Sequence, residues 1–201
     1  ISTAAKSTNV GLQQEGINEA ASRVNMILTY PWDQNDTNNS CSMPPVLHVS
    51  HGDTELDENG STGRRIGVDK NSSSHTFICD GKKFNASAIK VDGSDDIDDF
   101  IGTIGLTTDA SGSGGTDYIE KDTVQMTTTV SYLNDNANYT PTSSTRTFNY
   151  NPTAGTPTTN IKKIEVTLTS TSTASELNKT IVLKAFSCNI GGFEYESRII
   201  P

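Results

Sequence analysis

The first thirty residues, Ile1 to Tyr30, constrain this chain most. Ile17, Ala20, Ala21, Val24, Ile27 and Leu28 recur at three- and four-residue spacing, which lines one face of a helix. Ser22, Arg23 and Asn25 fall away from that stripe. Pro31 disfavours the helical conformation in the residue before it, so the helix is expected to stop near Leu28–Tyr30. The earlier part, Ser2 to Gln14, is polar on nearly all sides, and such a helix gains little from lying on a domain surface. At 1.5 Å per residue the whole stretch would span roughly 43 Å, more than the width of a small domain. The expectation is a stalk whose C-terminal part packs on a core through Ile17, Ala21, Val24 and Leu28 while the N-terminal part projects. A shorter helix with a frayed tail is the plainer alternative.

Beyond Pro31 the pattern turns to strands. Trp32, the single tryptophan, is placed to plug the joint between helix and body. A polar connector, Gln34 to Ser40, leads to Pro44-Pro45 and a short strand candidate at Val46–Val49. Arg64–Val68 and Thr76–Cys79 are further short candidates. Val124, Met126, Thr128, Val130 and Tyr132 share one face of a period-two segment, with a return strand through Arg146, Phe148 and Tyr150. Ile164, Val166 and Leu168 alternate with Lys163, Glu165 and Thr167, as in a strand with one wet face. Thr180–Ile190 is apolar at both parities, which predicts a central strand covered on both sides, and Phe193–Ile200 reads as a last edge strand. One helix followed by antiparallel strands predicts an α+β fold: a long N-terminal helix packed on an antiparallel β-sheet, with an irregular, loop-rich first half. Residues 1–30 would form the stalk and residues 31–201 a β-rich head.

With 201 residues, the chain can bury a real core, although only 32% of it is apolar. A net charge of −9 disfavours nucleic acid and anionic lipid as partners, because phosphate contacts need clustered Lys and Arg. Three cysteines, none in a CxxC pair, are too few for a disulfide scaffold or a zinc site. One bridge and one spare thiol is the natural count, with Cys41–Cys79 the favoured pair; three buried free thiols is the alternative.

Two acidic stretches are candidates for calcium, a hard cation that takes six to eight oxygens. The first is Asp92, Asp95, Asp96, Asp98 and Asp99; the sixth position from Asp92 is Ile97, so the EF-hand spacing fails. The second, Glu55 to Gly60, has its glycine in the sixth position but Ile66 at the twelfth. The plainer reading is solvated turns, with Asp95 or Asp96 capping a short helix; Asp33, Asp36 and Asn38 invite the same two readings. His48, His51 and His75 fall in no HExxH, and neither GxSxG nor a P-loop occurs, so no enzyme is expected. His48 beside apolar neighbours is expected to be packed.

Four segments carry a family resemblance: the helix ending at Tyr30-Pro31-Trp32; Ile97-Asp98-Asp99-Phe100; Asn160 to Leu168; and Val182 to Gly191. In this order they resemble type IV pilin-like proteins, in particular minor pseudopilins of type II secretion or type IV pilus systems. Cys41 to Val91 lies largely outside the likeness. The resemblance implies a subunit that assembles into or caps a filament by protein–protein contacts with other pilins and assembly proteins. It also implies an apolar membrane helix upstream of Ile1, an inner-membrane anchor, and a head in the periplasm or outside the cell. The rival reading is a secreted β-rich adhesin or carbohydrate-binding module that uses its Tyr and Trp residues as the contact surface.

Overall fold

A computed structural model describes residues 2–36, 44–50, 58–59, 64–65, 78–79, 82–93, 95–106, 123–133, 158–171 and 180–192, with helix side chains described from Gln14 onward. The elements run as helix α1 (Ser2–Ile27), then four two-residue strands, β1 (Glu58–Asn59), β2 (Arg64–Arg65), β3 (Ile78–Cys79) and β4 (Lys82–Lys83). Four longer strands follow: β5 (Gly102–Leu106), β6 (Thr123–Tyr132), β7 (Ile161–Thr171) and β8 (Thr180–Cys188). Single 3₁₀ turns occupy Gln34–Asp36 and Ile97–Phe100. β1 pairs with β2 and β3 with β4, both antiparallel, while β5-β6-β7-β8 form one antiparallel sheet in that order. No helix among the described residues is long and apolar enough to cross a membrane.

The expected α+β class, with a long helix packed on the sheet, is overturned: the described chain has one helix and a four-stranded antiparallel sheet and is mostly β. The helix sequence gives the reason. Its buried positions are Gly16, Ala20, Val24 and Ile27, a stripe dominated by small side chains. Of the expected core face, Val24 is buried, Ala21 is half-buried, and Ile17 and Leu28 are exposed at 40% and 42%. The large apolar groups are therefore split, Val24 and Ile27 on the buried side and Ile17 and Leu28 off it, and the helix is not the layer that organises the core. Its end at Ile27 falls one residue short of the expected stop.

The chain divides into two compact units. The first comprises Ile1–Thr29, Phe100–Val130 and Ile164–Ala185. Its buried side chains include Met126, Thr128 and Val130 from β6 and Ile164, Val166 and Leu168 from β7, every second residue as the pleat requires. β5 meets β6 in the register Gly102↔Thr128 to Leu106↔Val124, and the Thr103 and Thr127 hydroxyls share a 3.0 Å hydrogen bond across it. At the end of α1, Arg23 donates to the Phe100 carbonyl and places its guanidinium 4.9 Å from the Phe100 ring centre.

The second unit comprises Tyr30–Asp99, Ser131–Lys163 and Phe186–Pro201. Val46, Leu47, Val49, Ile97, Trp32, Tyr132 and Leu133 are buried in it. Among the described residues the Val46–Val49 segment makes an isolated parallel bridge, His48↔Asn85, and His48 is exposed, not packed. Asn189 supplies the pairing that this segment lacks. Its Oδ1 accepts from the Leu47 N–H (2.9 Å), its Nδ2 donates to the Leu47 carbonyl (2.7 Å), and its own backbone N–H donates to the Asn160 carbonyl. A buried amide thus does the work of a strand edge. Gly191 follows with φ 67°, where an added Cβ would lie 2.9 Å from the Pro44 carbonyl oxygen.

β8 corrects a further expectation. It is the last strand of the described sheet, and Val182 and Phe186 on its outer face are exposed at 44% and 39%, so it is not covered on both sides. The expected strands at Arg146–Tyr150 and Phe193–Ile200 lie outside the described residues.

Candidate functional site

The residue types in the second unit gather around one lysine. Lys162 is the second residue of β7, at the same parity as Ile164, Val166 and Leu168, so the pleat turns it inward with them. Its Nζ donates 2.8 Å hydrogen bonds to the Trp32 carbonyl and to Asp98 Oδ1, and lies 3.5 Å from Asp33 Oδ2. It also sits 4.7 Å from the Trp32 ring centre and 5.3 Å from that of Tyr132, close enough for cation–π attraction to both. The two rings meet edge-on at 6.0 Å, and the Trp32 indole N–H donates to the Ser187 carbonyl. Trp32 is buried, and the group it covers is charged.

Each carboxylate is held by backbone donors. Asp33 Oδ2 accepts from both the N–H and the hydroxyl of Ser87, and Oδ1 accepts from the Asn35 N–H. Asp98 Oδ2 accepts from the Lys90 N–H at 2.8 Å. Asp96 caps the 3₁₀ turn through the Asp98 N–H and accepts from the Gln34 N–H at 2.7 Å. The Tyr132 hydroxyl donates to the Ser87 carbonyl at 2.6 Å. Burial, reinforced by the charge of Asp33, pushes Asp36 up to about 7. Burial, then the hydrogen bond and charge of neighbouring Asp98, pushes Asp96 up to about 7 as well. Burial is also the main cause that raises Tyr132, ahead of Asp33, Asp98 and Asp96. Near neutral pH, two of the four acids around Lys162 are therefore poised to hold protons, which limits the repulsion among them.

The five acidic residues expected together as cation ligands divide in two. Asp92, Asp95 and Asp99 bring carboxylate oxygens within 4.8 Å of one another at the surface. Asp96 and Asp98 face inward, Asp98 to Lys162 and Asp96 to Gln34. Asp99 is already engaged: burial alone would raise it, but the N–H groups of Asp92, Asp95, Gly93 and Asp96 outweigh that and hold it well below the usual carboxylate range. Asp95 is raised, first by its hydrogen bond to Asp99. Asp92 pairs with Lys90 at 2.8 Å. As built, this loop is a carboxylate clasp around backbone N–H groups. Cys41 and the side chain of Cys79 lie outside the described residues, as do the side chains of the Glu55–Gly60 candidate, His51 and His75; Cys188 is exposed.

Sequence reasoning missed Lys162. The alternation that puts Lys163 on the wet face puts Lys162 on the dry one. No family model, characterised protein or solved structure matches the chain.

Proposed function

We propose that this chain is a minor pilin or pseudopilin subunit that assembles into, or caps, a periplasmic or surface filament through protein–protein contacts. One observation carries the reading. Ile17 in α1 and Leu28 just past its end are exposed at 40% and 42%, on one side of the helix and set apart from its buried stripe. At about 100° per residue, Ile17, Ala21 and Leu28 lie roughly a quarter-turn from Gly16, Ala20 and Ile27. An apolar helix stripe left in water beside a buried one fits a second helix, and the resemblance of the opening segment to pilin-like proteins supplies the kind of partner. The carbohydrate-binding alternative draws less support, because Trp32 and Tyr132 are interior at 7% and 6% exposure.

The test is the Ile17→Asp/Leu28→Asp double variant, expressed in the source cell. Both positions are exposed, so an unchanged thermal midpoint is expected, with loss of the chain from cross-linked complexes containing sister subunits. Undiminished recovery of those complexes from the folded variant would sink the proposal.

A further inference from the structure

We propose that Lys162 and Asp98 are joined by an intramolecular isopeptide bond, formed after folding between Nζ and Cγ. Both side chains are sealed from water, at 0% and 1% exposure, and Nζ lies 2.8 Å from Asp98 Oδ1. The carbon to be attacked is one bond beyond that oxygen, and fixed proximity of this kind is worth several orders of magnitude in rate. The remaining parts of a condensation site surround the pair. Asp33 Oδ2, 3.5 Å from Nζ, is placed to take a proton and free the lone pair. The Lys90 N–H at Asp98 Oδ2 is placed to stabilise the oxyanion of a tetrahedral adduct. Asp96, whose Oδ1 accepts from the Asp98 N–H at 2.9 Å, lies beside the reacting carboxyl as a source of a proton for the departing oxygen. Trp32 and Tyr132 cover Nζ, which strengthens each of these contacts and shields the product from hydrolysis.

The step balances without a co-reactant. Nζ forms a bond to Cγ and the Cγ–Oδ1 bond breaks. Of the three ammonium protons one stays on the amide nitrogen, and two leave with Oδ1 as water. Asp33 and Asp96 end in the protonation states in which they began. The inference is independent of the assembly reading, although a cross-link from residue 98 to residue 162 would suit a subunit under load.

The experiment is the intact mass of the purified full chain after disulfide reduction, followed by digestion and peptide mapping. The native chain is expected to be lighter than its sequence by one water, with a branched peptide joining the segments that contain Asp98 and Lys162. Lys162→Arg, which keeps the charge, is expected to regain the full mass and to lose the branched peptide. A native chain at full sequence mass overturns the proposal, as does a water loss that maps to succinimide at Asp92-Gly93. Should Lys162→Arg fail to fold, the native mass and the branched peptide decide alone.

Discussion

At the scale of single residues, an interior lysine among four aspartates is an expensive choice. Taking such charges out of water costs several kcal/mol per ion unless partners and hydrogen bonds repay it. Here the repayment is visible in the donors to Asp33 and Asp98 and in the three contacts of Nζ. Relative to the chain with the pair uncondensed, Lys162→Met removes the cation and leaves buried acids facing one another, so a loss of about 3–5 kcal/mol is expected in urea unfolding. The same cluster sets a pH dependence. Asp36 and Asp96 titrate about 7 when folded against 3.8 ordinarily, so the native state binds more protons than the unfolded one between those values. Their contribution is therefore present at the acid side and lost as pH rises through about 7. Asp99 has the opposite sign: its stabilisation is present above its ordinary value and lost as pH falls below it. The thermal midpoint is accordingly expected to be higher near about pH 5 than near about pH 8, and Asp36→Asn to flatten that slope. A midpoint that climbs steadily from pH 5 to 8 would contradict this assignment.

At the scale of elements, the legible parts were those governed by a strict period. β6 and β7 bury the alternate residues that the pattern nominated, with Val124 half-buried, and the helix ends at Ile27, one residue short of the expected stop. What was not legible was which of two neighbouring stripes on α1 would be covered. Ile17 is the larger apolar residue, yet Gly16 is buried, because close approach favours the smaller side chain. A Cβ at Gly16 would meet Leu168 Cδ1 at 3.7 Å, ordinary contact, so Gly16→Ala is expected to stabilise by about 0.5–1 kcal/mol through helix propensity. Asn189 was equally hidden, since an Asn at the end of a strand pattern reads as a turn residue. Asn189→Ala strips both backbone partners from Leu47, at about 1–3 kcal/mol for each buried group left unsatisfied. Circular dichroism melts of the two variants should move in opposite directions. The acidic run was legible as acidic, but its division between the Asp99 clasp and the Lys162 cluster depends on residues 34 and 162, far away in the chain, as well as on neighbouring Lys90.

At the scale of the whole molecule, low apolar content is offset by buried polar networks centred on Lys162 and Asn189. One apolar helix stripe, with Ile17 and Leu28, is left exposed, and the proposed assembly uses it. That stripe is the functional claim, and site-specific photo-cross-linking in the source cell addresses it directly. A photo-reactive residue at position 28 is expected to yield adducts with sister subunits, whereas one at exposed Ile104 on β5 should yield few or none. Equal yields from both positions, or monomer alone from position 28, would contradict assembly through the helix.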